Sequence, residues 1–477
     1  MARLVSSLSI ALVLVSCAAA HASAGEPSIE NWPRFRGPNG SGVSSSTGLP
    51  GAIDAETNLL WKMEPGKGSS SPIVVDGRVY LTSYEGDERF VQCLKVSTGE
   101  LLWKQTVRKV RDETASNPNS PATCTPVTDG TNVVAFFPDA GLFCYSTDGV
   151  EKWRTEVGPF HSMHGISGSP ILVDDLVVLL LDQLRGSRIS AYSLATGRLA
   201  WDVPRIDGLT SAYSTPSVSP VGFAPSLIVT SGPEEFCGYL ASNGKKVWSV
   251  PGVSNAPIIS PIVSGKQVFL CEPVRTSNTP FSMLASMDEN KDGKYSFKEV
   301  ERSIPMFRLL QRIDGDHGNG DGIVEESEWN KAFGGYLNKG GLVAVDLPGA
   351  DTPKEPAVRW TYRKSVPSIA MPLVLEDVLY FVQDGGIVTS VDPASGEIFR
   401  RGRLTQGGKN FYSSPVAADG KLFLLDTQGR LTVVKADREW EELSTTSLGE
   451  PCYATPAIYR GKLLVRTSKT LRCFGKK

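Results

Sequence analysis

The sequence predicts an all-β fold: an eight-bladed β-propeller of four-stranded antiparallel blades, carrying a small α-helical insert. Three observations predict it. First, a Ser/Thr-Pro step ahead of an apolar strand recurs at Ser71-Pro72, Thr125-Pro126, Ser169-Pro170, Thr215-Pro216, Ser260-Pro261, Ser414-Pro415 and Thr455-Pro456, with Met371-Pro372 as a variant. Successive steps lie 54, 44, 46, 45, 111, 43 and 41 residues apart. A period near 45 residues holding four short strands is the mark of a propeller blade, which cannot bury both of its faces alone. Second, Gly precedes Trp by four residues at Gly99/Trp103, Gly149/Trp153, Gly197/Trp201 and Gly244/Trp248. These Trp residues are expected to anchor one blade against the next. Third, Leu59-Leu60-Trp61 precedes the first step, whereas the last unit reaches Lys477 without a Trp strand. Pairing the two would close the ring and remove its exposed sheet edges.

Taken along the chain, residues 1–24 read as a signal peptide, with Arg3 ahead of an apolar run from Leu4 to Val15 and Ala22-Ser23-Ala24 as the cleavage site. Leu14-Val15-Ser16-Cys17 also resembles a lipobox, which makes Cys17 a candidate lipid anchor. The body of the protein is therefore expected to be exported, to the periplasm, cell envelope or exterior, and to be monomeric. Residues 25–273 and 341–477 form the two parts of the propeller. Within the repeats, Asp76-Gly77, Asp129-Gly130, Ser264-Gly265, Asp419-Gly420 and Arg460-Gly461 supply hairpin turns between apolar strands. Asp392 to Gly396 repeats the marker turn with Arg400 in place of Trp, and Trp440 follows without its Gly. The seven cysteines after Cys17 include no C-x-x-C pair, and Cys93, Cys144 and Cys473 sit in apolar strand contexts as buried thiols.

The 111-residue gap holds the insert, residues 274–340. Asp288 to Glu299 matches the twelve-residue EF-hand pattern, with side-chain oxygens from Asp288, Asn290 and Asp292, the Lys294 carbonyl, Ser296, and Glu299 as a bidentate closure. Phe281, Leu284 and Met287 lead into this loop, and Val300, Ile304, Phe307 and Leu310 leave it at helical spacing. A second loop is regular in its later half, at Asp321, Ile323, Glu325 and Glu328, but its first half needs an insertion. One alignment takes Asp314 and Asp316 with three extra residues, and the other takes Asp316 and Asn319 with one. Trp329 and Phe333 supply an exit helix.

Composition excludes some classes. With 49 basic and 51 acidic side chains the chain has no overall attraction to nucleic acid, and no basic run interleaves with aromatics. No apolar run after the leader approaches the ~20 residues of a membrane-spanning helix. Gly165-Ile166-Ser167-Gly168 is not a nucleophile elbow.

The Ser/Thr-Pro starts and Thr-Gly-x-x-x-Trp endings resemble the pyrroloquinoline-quinone-type (PQQ-like) propeller repeat, shared by quinoprotein dehydrogenases and the assembly lipoprotein BamB. The opening Trp32-Pro33-Arg34-Phe35-Arg36-Gly37-Pro38-Asn39-Gly40 and the stretch Gly158-Pro159-Phe160-His161 are similar to a secreted subgroup common in planctomycete-type bacteria. The resemblance implies, for the catalytic relatives, a quinone held against two adjacent cysteines with an acidic base and calcium. No Cys-Cys pair is present, and Arg185, Arg188 and Lys409 are isolated partners for quinone carboxylates. Bound PQQ and catalysis are therefore not expected, a divergent quinoprotein dehydrogenase being the alternative. His161 and His164, three apart in a loop, could reach one ligand, and Tyr213, Tyr412 and Tyr453, just ahead of their starts, would place aromatics around one mouth of the channel. The expectation is a calcium-binding, non-catalytic scaffold that holds an envelope protein, peptide or glycan partner on one propeller face.

Overall fold

The computed structural model describes residues 30–54, 56–206, 212–219, 226–233, 235–251, 257–273, 281–333, 340–348 and 356–476. Residues 1–24, expected from the sequence to be a signal peptide, with Cys17 as the candidate lipid anchor, lie outside the described residues, as do 274–280 at the head of the insert. Among the described residues no helix is long and apolar enough to cross a membrane.

Eight four-stranded antiparallel sheets make the propeller. Inner strands are sandwiched between neighbouring blades, so they are apolar on both faces; Leu176–Leu181 is buried at every position. Outer strands such as Leu101–Arg108 keep the half-exposed pattern of a rim. The eighth blade takes three strands from the C-terminal end and its outer strand from Leu59–Met63, with Trp61 opposite Cys473 and Met63 opposite Leu471. The ring therefore closes as expected. The helical insert joins the second and third strands of blade five, Gln267–Glu272 and Gly341–Asp346.

The blade starts are coupled around the axis. The backbone N–H of Ser71 donates to Thr125 Oγ1 (3.0 Å), Thr125 to Ser169 Oγ (3.0 Å), Ser169 to Thr215 Oγ1 (3.0 Å) and Thr215 to Ser260 Oγ (2.8 Å). The series resumes from Met371 to Ser414 Oγ (3.1 Å), Ser414 to Thr455 Oγ1 (3.1 Å) and Thr455 to Ser71 Oγ (3.0 Å). Here is the physical reason for the Ser/Thr-Pro step. Pro holds the preceding residue extended, and a short hydroxyl in that position reaches the preceding blade's buried N–H. The link from Ser260 is missing because Met371 has no hydroxyl. Apolar packing of Ile262, Phe269 and Ala344 on Met371, Leu379 and Phe381 joins that pair of blades instead.

The indole anchors bridge neighbours, in a way that spacing within one unit does not reveal. Trp61 Nε1 donates to the Val96 carbonyl, Trp103 to Thr147, Trp153 to Leu194 and Trp201 to Ala241, each at 2.8 Å and each on the following blade. The marker Gly of that following blade lies flat on the ring: a Cβ on Gly99 would stand 2.5 Å from Trp61, and its φ of +74° also excludes most side chains. At the sixth blade the lock inverts. Trp440, on a turn of blade seven, covers Gly402 and receives the Arg400 guanidinium 4.7 Å above its ring.

The opening motif is a plug. Trp32 pairs with Val74 of blade one in both directions (2.7 and 2.8 Å), and the Pro33 carbonyl accepts from Thr128 of blade two. Arg34 donates to the Pro216 carbonyl and Asn39 bonds Val218, both on blade four. Arg36 donates to the Pro372 carbonyl of blade six, and Gly42 and Ser44 pair with Ala417 of blade seven. One segment thus crosses one end of the channel and ties opposite blades together. Burial without a carboxylate partner pulls Arg34 and Arg36 down to about 9, which leaves both charged at neutral pH.

All seven described cysteines are buried free thiols. Burial pushes Cys124 and Cys452 up to about 12, so neither is a ready nucleophile.

Two predictions follow from these contacts. Thr125→Val keeps the shape but removes the acceptor of Ser71 N–H, so it should cost about 1–3 kcal/mol in denaturant unfolding; an unchanged midpoint would mean the hydroxyl ring contributes nothing. Near the closing blade, burial pushes the Glu450 carboxyl up but is outweighed by hydrogen bonds from Thr467, Thr470 and Arg472, so its pKa lies below the usual range. A depressed carboxyl stabilises above its unfolded pKa and loses that contribution as pH falls through the folded one. Stability of the parent should thus drop below about pH 4.3, and Glu450→Gln should flatten that acid limb.

Candidate functional site

A cavity of about 410 Å³ occupies the channel at the end opposite the plug. Its floor is Phe35, raised from the plug, together with the ring hydroxyls of Ser71, Thr125, Ser169, Thr215, Ser414 and Thr455. Its walls follow from blade order. From blades three and four come His164 and Tyr213, with ring centroids 6.2 Å apart; from blades seven and eight come Tyr412 and Tyr453, 6.0 Å apart. In a ring of eight, these two pairs stand on opposite sides. Ser69, Ser116, Asn117, Asn119 and Thr123 bring hydroxyl and amide groups from blades one and two, facing Ile258, Ile369 and Met371 from blades five and six.

The loops that carry these groups are held in place by their own hydrogen bonds. Asn119 Nδ2 (3.1 Å) and Ser116 N (3.3 Å) both donate to the His164 carbonyl, and Ser69 Oγ lies 3.1 Å from Thr123 Oγ1. Glu113 accepts from Arg111 Nε (2.8 Å) and Phe160 N (3.1 Å), and Arg111 also bonds the Pro138 and Val157 carbonyls. Tyr213 N donates to the Pro257 carbonyl and Phe411 N to Asp384 Oδ1.

Of the five propeller residues singled out from sequence, His164, Tyr213, Tyr412 and Tyr453 meet in this cavity. His161 does not; it is exposed, its N–H bound to Gln183 Oε1 at 2.7 Å. Arg185, Arg188 and Lys409 are likewise absent from the lining. The asparagines and the Phe35 floor were not expected. Each belongs to a loop or plug whose path across the channel depends on contacts distant in sequence.

The insert has its own core, in which Phe281 packs on Tyr295 and Trp329 beside Leu284, Val300, Leu310, Ile313 and Val324. The two loops are joined by a short antiparallel ladder, Tyr295 opposite Val324 and Ser296 opposite Ile323. In the first, Asp288 Oδ2 accepts from Gly293 N (3.0 Å) and Asn290 Oδ1 from Asp292 N (2.8 Å), and Glu299 reaches back to the amides of Ser296, Glu289 and Asn290. Burial pushes the Glu299 carboxyl up, but these bonds outweigh it and hold the carboxyl below its usual range. Asp288 Oδ1 is buried without a hydrogen-bond partner.

The second loop resolves the ambiguity of register in a way that neither alignment anticipates. Asp314 accepts from Gly322 N (2.8 Å), as Asp288 does from Gly293, and also from Gly320 N (2.8 Å). Asn319 Oδ1 accepts from Asp321 N (3.0 Å), as Asn290 does from Asp292. Asp314 and Asn319 therefore stand in the first and third places, and the extra residues fall between them. Glu328 closes on Glu325 N (3.1 Å), and Lys294 pairs with Glu325 at 2.6 Å across the loops. Asp316 lies in the last turn of the helix Ile304–His317. That helix starts later than the apolar spacing from Val300 predicts, because Pro305 has no N–H to give residue 301 and residues 298–303 form tight turns instead. The lead-in is a 3₁₀ turn, Phe281–Leu284, and the exit helix is Glu326–Phe333. Among the described residues no three His, Cys, Asp or Glu side chains converge as they stand to hold a metal ion.

No curated protein sequence matches the chain. Among solved structures, BamB from Moraxella catarrhalis superposes with a TM-score of 0.54 at 11% identity, covering 88% of this chain and 97% of that one. A europium-containing methanol dehydrogenase gives 0.59 at 11% identity over 94% and 98% of the two chains. The computationally designed Ika8 protein gives 0.51 at 12% identity over 86% and 99%. BamB, a methanol dehydrogenase and a designed protein share the shape, so these likenesses establish the propeller and nothing about activity. The family model described as "Outer membrane protein assembly factor BamB" matches residues 47–205 and 185–314, together more than half of the sequence. On the repeats, the closed ring and that match, the chain belongs to this PQQ-like, BamB-type propeller family.

Proposed function

We propose that the protein is a non-catalytic binding scaffold of the cell envelope or exterior, acting as an exported monomer whose insert is an EF-hand pair braced by calcium. The observation that carries this reading is the cavity at the open mouth. It is preformed by tethered loops, yet among the described residues its lining holds no carboxylate, no Lys or Arg and no Cys, and His164 is the one histidine among them. Such a lining suits recognition and supplies neither a matched acid-base pair nor a cation. Pyrroloquinoline quinone carries carboxylates that would be buried there without partners, so the residues do not fit it, and the dehydrogenase alternative gains no support. An envelope protein, a peptide or a glycan remains the class of partner. The opening motif shared with secreted planctomycete-type proteins and the leader of residues 1–24 support export, with Cys17 as the anchor if the leader is a lipobox.

In the insert, Asp288, Asn290, Asp292, the Lys294 carbonyl, Ser296 and Glu299 would hold the first calcium, and the unpartnered Asp288 Oδ1 fits a hard cation. Asp314, Asn319, Asp321, the Ile323 carbonyl, Glu325 and Glu328 would hold a second, in a loop three residues longer than the first.

Even a ~10 µM site at ~1 mM calcium would stabilise the insert by only about 2.7 kcal/mol. Calcium should therefore raise a low-temperature unfolding transition of the insert and leave the propeller transition in place. Glu299→Gln should abolish that shift, and Asp314→Asn should remove the second equivalent in isothermal titration; no calcium uptake by the parent would refute the brace. After incubation with calcium and pyrroloquinoline quinone, dye reduction with alcohols and sugars should not exceed that of a His161→Ala, His164→Ala control. Turnover above the control would overturn the non-catalytic assignment.

A further inference from the structure

We propose that the mouth cavity is a binding site for a neutral saccharide. The inference rests on the scaffold reading above and names the ligand class of that same site. Three features of the cavity select it.

The first is the pair of aromatic walls. His164 with Tyr213, and Tyr412 with Tyr453, stand on opposite sides of the channel. Aromatic side chains on opposite walls suit a ring-shaped ligand between them, and the C–H faces of a pyranose present the weakly positive hydrogens that aromatic faces attract. A volume of about 410 Å³ lies at the lower end of the range of small-molecule sites.

The second is the supply of hydrogen-bonding groups. Each ring hydroxyl on the floor accepts a neighbour's N–H and so keeps its own O–H to donate. Asn117 adds an amide, which donates and accepts at one site, as a sugar hydroxyl requires. Backbone addition of a peptide strand finds no row of free N–H groups here, because seven of the eight start N–H groups are already bound around the ring.

The third is the charge. Among the described residues the lining has no cation to pair an anionic ligand and no carboxylate to pair a cationic one. Burying either would cost its desolvation without compensation. A neutral polyhydroxyl ring is the class that satisfies all three, with Ile258, Ile369 and Met371 taking its less polar edge.

The test uses the full mature chain with calcium present. Cellotriose, maltotriose, xylotriose, mannotriose and triacetylchitotriose would be titrated by calorimetry and saturation-transfer NMR, with trigalacturonate, pyrroloquinoline quinone and a random tripeptide mixture as comparison arms. Binding of at least one neutral trisaccharide is expected, weakened tenfold or more by Tyr412→Ala with Tyr453→Ala, and by Asn117→Ala. Tyr412→Phe, which keeps the ring, should retain most of the affinity, and the main unfolding transition of each variant should match the parent. The inference is overturned if none of the five neutral sugars binds, if trigalacturonate or the peptides bind instead, or if the variants leave sugar affinity unchanged. Loss of sugar binding alone would leave the scaffold reading standing, whereas quinone-dependent turnover would remove that reading as well.

Discussion

Everything else in the molecule depends on the circle of hydrogen bonds that runs, at seven of the eight junctions, from one blade's first N–H to the next blade's Ser or Thr hydroxyl. A four-stranded blade has no reason to stop at one angle to its neighbour on apolar packing alone, since hydrophobic burial has no direction. The circle supplies one. It places every inner strand at the same height, and with it the residues just before the step at one end of the channel and those just after it at the other. The indole-on-glycine locks at the rim then hold the outer edges in the same rotation.

With the heights set, the two ends of the channel diverge. Residues after the step meet the plug, where Trp32, Arg34, Arg36 and Asn39 tie to blades one, four and six and bring Phe35 up beneath the hydroxyls. Residues before the step, among them Tyr213, Tyr412 and Tyr453, surround the open end. The asymmetry of a nearly regular ring therefore comes from one short segment. The insert joins blade five between strands two and three, on the side where the channel is open, since second strands run back toward the end at which first strands begin.

Much of this architecture was legible. The eight steps mark the blades, the stray strand at Leu59 to Trp61 marks the closure, and subtraction of the insert from the long gap restores the period. What escaped the sequence was pairing between distant segments. The recurrent Trp residues read as anchors between blades and are so, but the spacing does not show that each indole meets the marker Gly of the next unit, because the turn of one blade overlies the outer strand of the one before. Trp440 looks like a degenerate marker and is in fact an anchor placed on the opposing partner. Counting left Asp314 and Asp316 as alternative heads of the second loop, since a helix that runs on to His317 absorbs the extra residues. Likewise His161 and His164 look like a pair, but the chain between them turns one outward to Gln183 and the other into the channel.

The joining of Leu59–Met63 to Leu471–Phe474 has a consequence for how the chain reaches its native state. A strand made early has no partner until synthesis is almost complete, so seven blades can stack while both flanks of the stack stay unpaired. Such a contact, spanning more than four hundred residues, gives the topology a slow final step. During that interval the open flanks resemble the sheet edges from which strand exchange between molecules begins. The plug shortens the search. By fastening residues 31–44 to blades one, two, four, six and seven, it keeps the waiting strand close to the place where the last hairpin will arrive, and turns a long-range encounter into a local one.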